Sequence, residues 1–440
     1  MNNLKKTGDF MKKILIFCTI LTYSVLVHCE KLTLSESLKL AQRFNPVIKA
    51  RKADYRKSVY EYRKSTRLLL PDLNYSLSGQ RTRTKYRDLS STQFANFGTG
   101  MGTIKSYQTT HSSSYSMNTP VFNRKFTLMI RQSSVQQKIS LYRYKMQVRE
   151  IEFQIILAYL KILKAKALYD LEKENIKLSE LQFEMINNRF NSGLTIRTDV
   201  LKGELAVSEE KEKVIIVKNN YIIACLELNK LIGWGIFHKF DPADIKLKLK
   251  LSDKPGKKDY FMRYEYKILS EQKKLSDLQR RIVSSDNLPS LNLSSTYTKS
   301  DSEFYPDTNS AWNASMQLTY KFFDFGETRY GIKGAKQGVI AIQKEKENLM
   351  DQITHQVYFK HLKAKEANDR LKIIENAIKL SNENYEIMKD QYLNGMVTVL
   401  DLTEAETQKS DTQAKMINTR YDFYISCYEK WYAQGKELEI

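Results

Sequence analysis

Histidine is scarce in this chain. Five occur in 440 residues, and the two nearest in the second half, His355 and His361, are six apart and so off a common helical face. This pattern leaves no helical metal pair, and no nucleophile, phosphate-loop or metal-ligand motif appears elsewhere, so no enzyme, metal or cofactor is expected. Cysteine is equally thin. Of four, Cys18 and Cys29 belong to the leader, and the remaining Cys225 and Cys427 are too few for a disulfide framework; small buried hydrophobes are expected. Only seven prolines and 16 glycines punctuate the chain, which leaves room for very long helices. Past residue 29 no apolar run is long enough to span a bilayer as a helix. Acidic residues are in the minority, 50 against 71 Lys and Arg, giving a formal charge of +21. The cations are spread among Glu and Asp along helical faces without a compact basic block, which reads as a solvated surface and not as a nucleic-acid footprint.

The leader itself is informative. Lys12 and Lys13 precede the apolar run Ile14 to Val27, a length that suits the core of a secretory signal occupying residues 1–29. Met1 and Met11 both stand as possible starts. Two readings of the cleavage region also stand: cleavage after Cys29, or a lipobox Leu26-Val27-His28-Cys29 with Cys29 acylated, in which His28 occupies a position that calls for a small side chain.

The mature chain is a tandem duplication. Gly193 and Gly395, Asp199 and Asp401, and Cys225 and Cys427 are each 202 residues apart. The division is 30–250 and 251–440, and each half runs through a helix, a β-hairpin, a long helix, a Gly tip and a returning helix. In the first half Asn45-Pro46 interrupts a helix that ends near Leu69. A strand from Leu73 to Ser78, a loop from about Arg83 to His111 and a strand from Ser112 to Thr119 place the first hairpin at about 72–121. No proline or glycine occurs from Arg124 to Asn191, which predicts one helix of roughly 100 Å at 1.5 Å per residue. The second half repeats the hairpin at about 289–323, with its clearest strand at Trp312 to Phe322, and a helix from Glu327 to Leu393. The tip Gln391-Tyr392-Leu393-Asn394-Gly395-Met396 ends one helix at a glycine, and Asp401 and Glu404 lie on one face of the next.

Each strand is expected to have about nine to eleven residues, with dyad alternation and aromatic ends, the pattern of a tilted strand in an outer membrane. Four such strands cannot close a barrel, and an open edge in lipid leaves backbone groups unpaired, so several chains must pool strands. The alternative is a basic coiled-coil structural or nucleic-acid-binding protein, which needs neither a signal nor amphipathic strands.

The two Leu-Pro-x-Leu strand starts at Leu70 and Leu288, the strand exits Thr119-Pro120-Val121-Phe122 and Phe322-Phe323-Asp324-Phe325-Gly326, and the two Gly-x5-Asp tips resemble those of the TolC-like outer-membrane efflux proteins over nearly the whole mature chain. The resemblance implies a mainly α fold with membrane β: a long-helix coiled-coil α-barrel, plus four strands per chain in a homotrimeric twelve-stranded β-barrel. It implies the exit duct of a tripartite efflux or type I secretion system, in the outer membrane and reaching into the periplasm. The implied partners are a periplasmic adaptor and an inner-membrane RND or ABC transporter, with no nucleic acid. By the same resemblance Gly193, Leu194, Thr195, Gly395 and Met396 are adaptor-docking positions, and Asp401 and Glu404 form an acidic ring at the entrance. Tyr392, Asp199 and Thr198 then latch neighbouring helices shut. The family arginine two residues after the second tip glycine is Val397 here, which leaves two expectations: a weaker latch, or Arg197 near the other tip as its substitute.

Overall fold

The computed structural model describes residues 30–87, 103–245, 259–304 and 309–436. The signal segment, its start and Cys29 lie outside these. The elements in chain order are β1 (Glu30–Leu32), α1 (Leu34–Phe44), α2 (Pro46–Ser65), β2 (Asp72–Arg87), β3 (Thr103–Phe122), α3 (Arg124–Asn191), α4 (Arg197–Ile232), β4 (Phe240–Pro242), α5 (Tyr264–Ser284), β5 (Ser290–Asp301), β6 (Asn309–Thr319), α6 (Glu327–Leu393) and α7 (Val399–Gln434). Among the described residues no helix is long and apolar enough to cross a membrane.

The chain divides into two compact units. One comprises the described residues within 1–54, 142–268 and 346–440. Its core gathers Ile155, Ile156, Tyr159, Leu160 and Ile162 of α3 with Leu34, Leu38 and Ala41 of α1, Leu228 and Ile232 of α4, and Tyr428 of α7. The helical spacing of these residues turns one stripe of each helix inward. Asn45 enforces the break read from Asn45-Pro46: it donates to the Leu231 carbonyl at 2.6 Å and accepts from the backbone N–H groups of Val47 and Ile48. Gly233 ends α4 at φ 85°, a left-handed position where a Cβ would also meet the Phe44 carbonyl at 2.9 Å. The short parallel pair β1–β4 is held by Tyr159, whose hydroxyl lies 2.8 Å from the Leu32 carbonyl and 2.7 Å from that of Ala243. Cys427 is buried beside Ala367 and Phe423, as expected, whereas Cys225 is only half-buried; both are free thiols.

The other unit, residues 55–141 and 269–345, carries a four-stranded antiparallel sheet in the order β2-β3-β5-β6. Asp324 starts α6 just past the sheet by accepting from the backbone N–H groups of Gly326 (3.0 Å) and Thr328 (2.9 Å). Two expectations are corrected here. The first hairpin's strands have 16 and 20 residues, not nine to eleven, and pairing runs on through Arg83, where a loop was expected, to Arg87↔Thr103. Alternation persists there as Thr against Arg and Lys, so an apolar signal does not report it. In the second hairpin β6 spans Asn309–Thr319, about three residues earlier than expected.

Candidate functional site

The sheet has two chemically distinct faces, and the register decides which residues share them. On one face Tyr75 stands opposite Tyr115, Tyr115 opposite Tyr297 and Tyr297 opposite Trp312, so a single row of aromatic side chains crosses all four strands. The Tyr75 and Tyr115 rings are 4.9 Å apart, and the Trp312 indole donates to Ser295 Oγ at 3.0 Å. Nearer the helix-linked strand ends the same face continues through Leu73 and Met117, Leu293 and Met316, and Leu291 and Leu318. Beyond β6 the exposed Tyr320, Phe322, Phe323 and Phe325 follow. Trp312 to Thr319, at about 3.3 Å per residue and a tilt of roughly 40°, covers ~18 Å, most of the roughly 25 Å height of an outer-membrane apolar band. Leu73, Trp312, Met316 and Leu318 are 65–76% exposed, an apolar surface that a lone chain in water would not maintain.

The opposite face is polar, with the carboxylate of Asp72 at its helix-linked end. It presents Asn74, Ser76 and Ser78, then Ser112, Ser114 and Ser116, then Asn292, Ser294 and Thr296, and Asn313, Ser315 and Gln317. Hydroxyl pairs at 2.7 Å cross the strands at Ser76 with Ser114, Ser78 with Ser112, and Ser294 with Ser315. Among the described residues both outer edges, β2 and β6, lack a strand partner.

The second group of residues surrounds the two helix tips. Gly193 and Gly395 each have φ 73° and close the same paired backbone bonds. Gly193 N–H donates to Phe190 and Leu194 N–H to Arg189; Gly395 N–H donates to Tyr392 and Met396 N–H to Gln391. A Cβ at either glycine would meet nothing within 4 Å, and Leu194 and Met396 beside them are exposed, so both tips present open surface. The tips differ in how the next helix starts. Asp401 builds a capping box on α7, accepting from Thr398 N–H at 2.8 Å and Thr398 Oγ1 at 2.7 Å. The side-chain and backbone hydrogen bonds from Thr398 hold its carboxyl below the ordinary aspartate range. Ile196 occupies the corresponding position on α4, and Asp199 accepts instead from Thr195 Oγ1 at 2.5 Å. Glu404 and Thr198 are exposed.

Tyr392 is buried against Ile186, Tyr385, Val399 and Leu402, with Val200 and Val397 alongside. Its hydroxyl has no hydrogen-bond partner within the described residues, and burial pushes its pKa up, with the nearby Asp199 charge adding to the effect. The residue that sequence reasoning missed is Arg189. Its guanidinium lies 4.8 Å from the Tyr392 ring centroid and donates to the Tyr392 carbonyl at 3.0 Å, while its own carbonyl accepts from Leu194. One arginine therefore ties the backbone of both tips together, a place expected for Arg197, which is exposed. The only signal in the sequence is that the repeat partner of Arg189 is the neutral Gln391.

Comparison with known proteins follows the same lines. A family model described as outer membrane efflux protein matches residues 36–234 and 273–427. Outer membrane protein TolC of Salmonella enteritidis is 22% identical over 301 residues, 63% of this chain and 59% of TolC, so the chain spans less than two thirds of that relative's length. Alkaline protease secretion protein AprF of Pseudomonas aeruginosa is 22% identical over 373 residues, 81% of this chain and 74% of AprF. The crystal structure of the Campylobacter jejuni CmeC outer membrane channel superposes with a TM-score of 0.77 at 16% identity, over 91% of this chain and 85% of that one.

Proposed function

This chain belongs to the outer membrane efflux protein family, and on that footing we propose that three copies form an exit duct through the outer membrane. The sheet carries this reading: one face matches a lipid band, the other an aqueous wall, and both edges are open for strands of further copies. Three sheets of four strands give a barrel of twelve. The helical unit supports association of copies, since α4 leaves Leu201, Leu205, Ile216 and Ile223 exposed and α6 leaves Ile373 and Leu380 exposed, faces suited to other copies of the chain. A transporter in the inner membrane, of the RND or ABC kind, would select the cargo. A periplasmic adaptor would couple the two. The names of relatives leave room for both small-molecule efflux and protein secretion.

The open glycine tips are the proposed adaptor contacts, with Leu194, Thr195 and Met396 beside them. Asparagine tolerates a left-handed backbone, so Gly193→Asn and Gly395→Asn should preserve the trimer and export, while tryptophan at both positions should preserve the trimer and abolish adaptor crosslinking. Crosslinking that survives both tryptophans removes the tips from the docking surface.

Asp401 and Glu404 are the proposed acidic ring, with Tyr392, Thr198, Asp199 and Arg189 holding the entrance closed. Because its Thr398 bonds keep Asp401 ionised, threefold symmetry would bring together at least three negative charges. Reversal potentials of single reconstituted channels test this. The Asp401→Ala, Glu404→Ala double variant should lose most cation preference; the wild-type preference in that variant would refute the ring.

A further inference from the structure

The two hairpins of the sheet are unequal, and the difference has a chemical character. β3 and β5 stop pairing at His111↔Asp301, but β2 and β3 continue through eight more residue pairs, from Gln80↔Thr110 to Arg87↔Thr103. The overhang is a two-stranded ribbon that begins past the aromatic row, at the end of the sheet away from the helix-linked strand ends. Residues 80–87 and 103–110 together contain five Lys and Arg and no Asp or Glu.

Alternation gives the overhang its direction. Arg81 and Arg83 occupy positions of the same parity as Leu73, Tyr75 and Leu77, so the apolar face of β2 continues into a cationic one. Arg81 and Arg83 lie 5.3 and 5.7 Å from the Tyr107 ring centroid, and this shared aromatic platform keeps both guanidiniums on the ribbon. A cationic strip directly above an apolar band and an aromatic row stands at the depth of lipid headgroups. There, phosphate is the abundant anion, and guanidinium matches its geometry with paired hydrogen bonds.

We infer that the β2–β3 overhang is a docking surface for the phosphate groups of outer-leaflet lipids, which it grips with Arg81 and Arg83. This inference rests on the membrane reading of the sheet. It assigns the extra length of the first hairpin a task that barrel closure does not require: anchoring the rim of the duct to the membrane surface.

The test uses the full-length protein in detergent, titrated with diphosphoryl lipid A or with the same lipid after chemical dephosphorylation, and read by native mass spectrometry. The wild type should retain the phosphorylated form at least tenfold more tightly. Arg81→Gln with Arg83→Gln should lose most of that difference, and inorganic phosphate should not compete. Equal retention of the two lipids by the wild type, an unchanged preference in the variant, or displacement by inorganic phosphate each overturns the inference. Conductance of both proteins in phosphatidylcholine bilayers separates the two levels. If both conduct and the lipid preference is absent, only the ribbon's task falls; if neither conducts, the channel reading falls and takes this inference with it.

Discussion

Met316→Arg is expected to abolish assembly in the outer membrane, while Gln317→Arg, one residue further on, is expected to leave assembly intact. Met316 shares its face with Trp312 and Leu318 and stands opposite Leu293 within the apolar band; Gln317 points to the polar face opposite Asn292. An arginine near the bilayer midplane of a β-barrel costs about 2–4 kcal/mol, and threefold repetition raises this to roughly 6–12 kcal/mol per particle. That rivals the whole stability of an ordinary domain, about 5–15 kcal/mol. On the polar face the same side chain remains hydrated, and three copies should shift ion selectivity toward anions. Membrane fractionation with heat-modifiable migration reads the first outcome and reversal potential the second. Normal insertion of Met316→Arg, or failure of both variants alike, would show that the two faces are misassigned.

The second large effect is one of pH. Near the tips α7 turns Glu406 toward Glu210 of α4, with Gln182 of α3, Tyr385 of α6, and Lys409 and Lys213 around it. Lys213 pairs with Glu210 at 2.7 Å, Lys409 lies 3.9 Å from both Glu386 and the Tyr385 ring centroid, and Asn175 donates to buried Glu172 at 3.0 Å and to Ser410 at 2.7 Å. Burial, reinforced by the Glu210 charge, pushes Glu406 up to about 7. Its folded-state value lies above the ordinary 4.5, so between about pH 4.5 and 7 the folded chain holds a proton that the unfolded chain has released. Stability therefore falls as pH rises through that window, and the ionised carboxylate at pH 8 costs up to about 3 kcal/mol. Glu406→Gln should stabilise the packing of α7 on α3 and α4 by about 1–3 kcal/mol at pH 8 and change little at pH 4.5. Hydrogen exchange of residues 178–190 and 399–410, corrected for the intrinsic rate, follows this directly. Parallel pH profiles in the two proteins would refute the assignment.

How much of this was legible in the sequence depends on how local each signal is. The bounds Arg124–Asn191 and Glu327–Leu393 were readable because proline is absent from both, and because Asn191 and Leu393 lead straight into the tip glycines. The tips were readable because a left-handed C-terminal position favours glycine. The β2–β3 overhang was not, since its alternation is Thr against Arg and Lys and carries no apolar signature. Tyr75, Tyr115, Tyr297 and Trp312 are visible singly, but only the register aligns them in one row. Arg189 meets Tyr392 from 203 residues away, and Glu406 and Glu210 look like ordinary solvated helix carboxylates until four helices close around them. These are properties of packing between repeats, where local spacing is silent.

The open-edged sheet as one third of a barrel is tested most directly by the native mass of the detergent-extracted, conducting particle. Three chains per particle, with conductance lost when the particle dissociates, is the expected result. A stable single chain that conducts would contradict it, because four strands cannot close a pore.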